Sequence, residues 1–230
     1  MINTEMLREY RPDVSDEQAE QFDIYADTLV KWNEKMNLTG ITAPDEIVIK
    51  HFIDSLILLD YCDIPQGAKV IDVGTGAGFP GIPLLIARND ISLTLMDSLQ
   101  KRLGFIDEVL RLTRLKARTV HGRAEELAND EAYRESFDFA TARAVAPLNI
   151  LCEYCLPFVK VGGYFAALKG SNDEIAGAQH AIRELGGELI ANKLYQLPNN
   201  DNRSIVIIKK ISQTSAKYPR KSKKIQNSPL

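Results

Sequence analysis

The sequence predicts an α/β protein, a doubly wound and mostly parallel sheet of seven strands preceded by an N-terminal helical extension. Three observations predict it. Apolar residues recur at helical spacing through the first part of the chain. From residue 69 onward, short apolar runs alternate with helical stretches, the pattern of βαβ units. The last two runs, 188–194 and 204–211, have no helix between them, which makes an antiparallel hairpin at one edge of the sheet. The expected organisation is a helical extension over 1–64, a sheet domain over 65–211 and a basic tail over 212–230.

Each element has a local reason. Ser15-Asp16-Glu17-Gln18 fits a capping box, and Phe22, Tyr25, Ala26, Leu29, Trp32 and Met36 then follow at helical spacing. That pattern ends near Asn37-Leu38-Thr39-Gly40. Pro44 suits the first turn of a second helix, which runs through Ile47, Phe52, Leu56 and Leu59 and stops before Pro65. Residues 69–73, 92–97, 117–120, 137–142 and 164–168 are the first five strands. Residues 101–112, 149–159 and 173–185 are helices, the last closed by Gly186-Gly187.

Composition bounds the class. The 230 residues are 45% hydrophobic and 26% charged, ordinary for one globular domain able to bury its own core. No stretch approaches the roughly 18 apolar residues of a membrane span. The first 13 residues carry Glu5 and Glu9 and no apolar run, so they are not read as a signal peptide. Three cysteines and no secretion signal point to a reducing cytoplasm. Cys152-Glu153-Tyr154-Cys155 lies on one expected helix far from Cys62, so its thiols are read as small buried hydrophobes. His51 and His121 have no metal partner at useful spacing and are read as structural. No metal site is expected.

The net charge of −3 hides an asymmetry. Residues 202–230 hold eight basic and no acidic residues, leaving 20 basic against 31 acidic in the rest. The bland reading of such an end is a solubilising tail; the sharper one is contact with nucleic acid. Lys217, Arg220, Lys221, Lys223 and Lys224 are the phosphate candidates, and Tyr218 is a possible stacking group. A tail packed beside the final strand pair is the rival view. Deleting it is expected to leave cofactor affinity unchanged.

The chemistry centres on Asp72-Val73-Gly74-Thr75-Gly76-Ala77-Gly78-Phe79-Pro80-Gly81, which follows the first strand and opens the next helix. Glycines there permit a tight turn and a close ligand, at the carboxyl end of the strands. Residues 76–81 formally match the dinucleotide pattern G-x-G-x-x-G. That match is out of register with the strand. The frame that abuts the strand is Asp-x-Gly-x-Gly-x-Gly, which resembles motif I of the S-adenosylmethionine-dependent methyltransferases. Asp72 is a poor neighbour for pyrophosphate and a reasonable partner for the ammonium of methionine, with Phe79 and Pro80 walling the pocket. Asp97, 23 positions after Gly74, can accept from ribose hydroxyls, which does not separate the two cofactor classes. No Tyr-x-x-x-Lys pair and no second domain support a nucleotide-dependent oxidoreductase.

Seven pieces in this order make a wider resemblance: residues 32–39 (Trp-Asn-Glu-Lys-Met-Asn-Leu-Thr), 51–56 (His-Phe-Ile-Asp-Ser-Leu), the 72–83 loop, 121–126 (His-Gly-Arg-Ala-Glu-Glu), 142–146 (Ala-Arg-Ala-Val-Ala), Lys169-Gly170 and 217–220 (Lys-Tyr-Pro-Arg). Together they resemble the bacterial 16S ribosomal RNA guanine-N7 methyltransferases, the small-subunit methyltransferase G family, over nearly the whole chain. The resemblance implies a Rossmann-like methyltransferase sheet, S-adenosyl-L-methionine as cofactor, and 16S ribosomal RNA or the small ribosomal subunit as partner of a cytoplasmic monomer. It implies cofactor contacts at Gly74, Phe79, Ala124, Glu125 and Arg143, with Asp97, Ser98 and Leu99 on the ribose side and Gly76 and Gly78 shaping the loop. Two alternatives stay beside this. Glu125 and Glu126 also suit a solvated helix start, and Arg143 suits a core-rim partner for Asp72 or Asp138. In the tail, Lys223 and Ile225 stand where the family carries a glycine and a proline.

Guanine N7 has an exposed lone pair, so no acid or base is assigned. Arg123, Arg143 and Lys169 are positioning candidates for guanine O6 or a phosphate. Asn37 faces the pocket on one reading and caps a helix on the other. A non-catalytic ribosome-binding protein is the remaining alternative, opposed by the intact set of Gly74, Asp97 and Arg143.

Overall fold

The computed structural model describes residues 2–170 and 174–230. The expected helix start at Asp173 lies outside the described residues. Two helices open the chain, α1 (Thr4–Tyr10) and α2 (Asp16–Asn33). The capping box forms: the Gln18 N–H donates to Ser15 Oγ (3.2 Å) and the Ser15 N–H donates to Gln18 Oε1 (2.9 Å). The helix stops at Asn33 rather than near residue 37, because Asn33 Oδ1 accepts from the N–H groups of both Leu38 and Thr39 and turns the chain.

The second long helix is broken in character. It runs as α3 (Pro44–Ile47), a π-helical segment (Val48–Ile53), α4 (Asp54–Leu56) and α5 (Leu58–Tyr61). π-Helical turns are rare and concentrate at functional sites, and this one carries Lys50 and His51.

Then follow β1 (Lys69–Val73), α6 (Gly81–Ala87), β2 (Ser92–Asp97), α7 (Gln100–Thr113), β3 (Arg118–His121), α8 (Ala124–Leu127), β4 (Phe137–Arg143), α9 (Leu148–Cys155), a 3-10 turn (Leu156–Phe158), β5 (Val159–Lys169), α10 (Ile175–Glu184), β6 (Gly187–Gln196), β7 (Asn202–Lys210) and α11 (Ser222–Asn227). The seven strands lie in the order β3-β2-β1-β4-β5-β7-β6. β1 to β5 pair in parallel, and β7 pairs antiparallel with both β5 and β6, which is the edge hairpin the sequence predicts. The switch point lies between β1 and β4, so the loops after these two strands open the crevice where ligands bind in such sheets.

Both faces of the central strands are buried. Val70, Leu93, Leu95 and Phe139 point into a core shared with α2, the broken helix, α6 and α7. Their neighbours Ile71, Met96 and Ala140 point into a second core under α9 and α10. The period-2 alternation between two apolar cores explains why these strands read as continuous apolar runs. Cys152 and Cys155 are buried in the second core, where burial pushes both thiols up. Among the described residues no helix is long and apolar enough to cross a membrane.

The tail is built into the fold. Tyr218 and Ile225 are buried in the second core. Arg134 donates to the carbonyls of Thr214 and Tyr218, and Lys217 pairs with Glu184 (2.7 Å). Arg220 grips Glu153, itself fully buried, through Nε and Nη2 at 2.9 and 2.6 Å. Lys210 is also fully buried, donating to Leu156 O and Thr214 Oγ1.

Candidate active site

The geometry starts with Asp72. It ends the apolar run of β1, fully buried, and its Oδ2 accepts from Thr75 Oγ1 (2.6 Å) and the Gly81 N–H (3.0 Å). Its Oδ1 is buried with no partner. Desolvation outweighs those two bonds and raises its pKa to about 6. Asp97, at the end of β2, is spent on the loops: Oδ2 accepts from the Gly76 N–H and Oδ1 from the Leu99 N–H, both at 2.9 Å. Leu99 itself is exposed.

Two cavities open beside these strand ends. One, of about 220 Å³, is lined by Gly74, Ser98, Arg123, Ala124 and Glu125, and also by Ser222 and Gln226 of α11. Glu125 is buried, and its Oε1 has no hydrogen-bond donor, the nearest cation being Arg123 at 3.9 Å. Gly74 has φ +71°, and a Cβ there would stand 2.8 Å from Val145 Cγ2, so only a glycine leaves this floor open.

The second cavity, of about 330 Å³, is lined by Lys50, His51, Asp54, Arg143, Lys169 and Arg203. Arg143 is its frame. It donates to Asp54 Oδ2 (2.9 Å), to Lys50 O (3.1 Å) and to His51 Nδ1 (3.1 Å), with its guanidinium 4.8 Å from the Phe79 ring centroid. Asp54 Oδ1 accepts from the Tyr195 hydroxyl (2.8 Å). The His51 ring stacks on Phe79 at 4.2 Å, and its Nε2 lies 3.0 Å from Thr39 Oγ1. Because Nδ1 accepts from Arg143, the network assigns the proton to Nε2. Ala144 lines this cavity and Val145 the other, so consecutive residues after β4 separate the two. Ala144 holds φ +55°, a strained value for a residue with a Cβ.

The structure sorts the expected residues. Gly74, Ser98, Ala124 and Glu125 come together with Arg123 at one cavity, and Arg143 and Lys169 at the other. Phe79 does not wall a cavity: it is buried between the rings of Tyr25 and His51. Gly76 and Gly78 shape the loop from behind it. Asn37 is exposed and lines neither cavity, since Asn33 turns the chain there instead. Arg143 pairs with Asp54, not with Asp72 or Asp138. Tyr218 is buried, so it offers no ring for stacking, and Arg220 is committed to Glu153; Lys221, Lys223 and Lys224 remain exposed. Sequence reasoning missed Lys50, Asp54, Tyr195, Arg203, Ser222 and Gln226 as site residues. Only Asp54 carried a signal, inside the 51–56 segment.

The environment of His51 has a measurable consequence. Desolvation, then the Arg143 charge, lowers its pKa to about 3. Its ring signals in nuclear magnetic resonance are expected to stay flat from pH 8 to pH 5, and a midpoint near 6.5 would contradict the buried network. The sign for stability follows. The unfolded chain protonates at about pH 6.5 while the native ring refuses the proton, so His51 contributes stability above pH 6.5 that is lost as pH falls, at about 1.4 kcal/mol per unit. Asp72 acts oppositely: its raised pKa contributes stability below pH ~4 that is lost as pH rises through 6.

Comparison with known proteins follows the same lines. A family described as rRNA small subunit methyltransferase G matches residues 18–204. The chain is 49% identical to the ribosomal RNA small subunit methyltransferase G of Alkaliphilus oremlandii, covering 95% of this chain and 93% of that one. It is 52% identical to the protein of the same name from Thermoanaerobacter sp. strain X514, covering 92% and 90%. Among solved structures it resembles a putative methyltransferase from Bacillus halodurans (TM-score 0.57, 12% identity, 69% of this chain and 99% of that one). It also resembles TrmN from Thermus thermophilus (TM-score 0.56, 19% identity, 69% of this chain), of which it spans 48%. At these identities the structural likeness speaks for the fold alone.

Proposed function

The chain belongs to the rRNA small subunit methyltransferase G family, and from that premise we propose that it transfers the methyl group of S-adenosyl-L-methionine to N7 of a guanine in 16S ribosomal RNA. The observation that carries the reading is the pair of adjoining cavities, one bearing an unpartnered buried carboxylate oxygen and the other lined with cations. Buried carboxylate oxygens without donors fit a ligand that brings hydroxyls and an ammonium, since leaving them unpaired is costly. Gly74, Ser98, Ala124, Glu125, Ser222 and Gln226 would hold the cofactor, with Asp72 behind the loop. When bound, the cofactor supplies an electrophilic methyl group on a sulfonium.

The remaining work is positioning and electrostatics. N7 needs no deprotonation, and His51 is no base because its free lone pair already accepts from Arg143. A bare cation beside N7 would oppose the charge that develops on the purine. Here the cations come paired: Arg143 with Asp54, Lys169 with Glu174, and Arg203 with Asp201. Each keeps hydrogen-bonding direction while its net field is tempered. Arg143 spends both terminal nitrogens on the frame, Arg203 gives its own to Asn202 O and Asp201, and Lys169 bonds Ala146 O and Glu174. Lys50, whose ammonium bonds Glu46 alone among the described residues, is therefore the cation with the most donors left for the base or its phosphate.

Calorimetry is expected to give saturable binding of S-adenosylhomocysteine and none of NAD. Mass spectrometry of small-subunit RNA from cells lacking the protein is expected to lose one 7-methylguanosine relative to wild type. Tight NAD binding, or an unchanged modification pattern, would overturn the assignment.

A further inference from the structure

A third and larger cavity, of about 760 Å³, is a groove between α2 and α7, away from both site cavities. Lys31, Trp32, Lys35 and Met36 line it from α2 and its end, and Lys101 and Gly104 from α7. The helices run antiparallel. Gln21 of α2 donates to Thr113 O at the far end of α7, while Trp32 packs edge-on against Phe105. The lysine-bearing end of the groove therefore lies where α2 ends and α7 begins, three residues after Asp97 closes β2, and its other end reaches Leu112. On the other side the chain leaves Met36 and reaches Thr39, whose hydroxyl bonds His51 in the cation-lined cavity. The groove thus opens on the same edge of the sheet as the site.

Its charge is one-sided. Lys31, Lys35 and Lys101 are all exposed and, among the described residues, form no ion pair. The one acid in the lining, Glu108, is held by Arg111 at 2.8 Å. Trp32 is partly exposed and lines the same groove as the lysines. Unpaired lysines beside a partly exposed aromatic ring match a phosphate backbone with an unstacked base. In a body carrying a marked acidic excess, such a cluster at the site's edge is a local exception.

We propose that the groove formed by Lys31, Trp32, Lys35 and Lys101 is a docking surface for ribosomal RNA, holding the strand that flanks the target guanine. The inference rests on the RNA methyltransferase reading above. It moves part of the attraction for RNA from the tail to the seam between the helical extension and α7.

The test uses the full chain and assembled small ribosomal subunits. A variant with Lys31→Gln, Lys35→Gln and Lys101→Gln is expected to bind subunits roughly tenfold or more weakly at ~0.1 M salt, with a salt slope smaller by roughly 2–3. S-adenosylhomocysteine affinity is expected to stay at the wild-type value, and the Lys→Arg triple variant to keep the wild-type slope. A photo-crosslinking residue at position 35 is expected to attach to RNA. An unchanged slope in the Gln variant, or a crosslink to a ribosomal protein instead of RNA, overturns the groove. Wild-type protein that binds cofactor but leaves RNA unmethylated defeats the functional reading itself, so the two failures are distinguishable.

Discussion

Gly74→Val is expected to abolish cofactor binding, weakening S-adenosylhomocysteine affinity by at least about 100-fold, a loss of roughly 3 kcal/mol, while circular dichroism stays native. Two effects combine. At φ +71° a β-branched residue is strained by about 1–2 kcal/mol or more. Its side chain would also stand in the floor of the smaller cavity, against Val145. Gly76→Ala is the matched control. Gly76 also has positive φ (+59°), yet the nearest atom to an added Cβ is Gly74 O at 4.0 Å, and Gly76 does not line the cavity. Its expected loss is tenfold or less. Equal damage from both substitutions would mean that backbone conformation alone, and not the open floor, carries binding.

Arg220→Ala is expected to lower the unfolding free energy by about 3–5 kcal/mol, because it leaves Glu153 buried without a counterion. Urea unfolding measures it. Adding Glu153→Gln is expected to recover part of the loss, since the neutral amide is cheaper to bury. The same variant is expected to weaken S-adenosylhomocysteine binding if that ligand occupies the smaller cavity, because Ser222 and Gln226 line it and Arg220 anchors the start of α11 to Glu153. This reverses the expectation that tail deletion spares the cofactor. If Arg220→Ala destabilises the chain but leaves affinity intact well below the unfolding transition, α11 is a bystander to the cofactor.

The tail illustrates where reading the chain alone stops. Its five cations, and three more in β7, were visible, but their partners were not. Glu153 lies 67 positions before Arg220 and Glu184 lies 33 before Lys217, and no local pattern links such pairs. Once Lys210 and Arg220 are paired inside the fold and Lys217 is paired with Glu184 at its surface, only part of the positive charge is left for phosphate. The same holds for Arg143. Its place at the end of β4 was legible from strand period, whereas Asp54, 89 positions earlier, became its partner only when the broken helix docked on the sheet.

By itself the sequence determined what depends on local spacing: the capping box at Ser15, the βαβ order, the edge hairpin, and the glycine loop in register with β1. These follow from backbone dihedrals and from the 2.0 and 3.6 periods, which act over a few residues. Tertiary structure alone decided which charges meet, that Phe79 lies under His51 instead of walling a cavity, that Asn33 and not Asn37 turns the chain, and that α11 lines the smaller cavity. Those outcomes turn on long-range packing, in which a charge removed from water must find a partner wherever the chain returns to it.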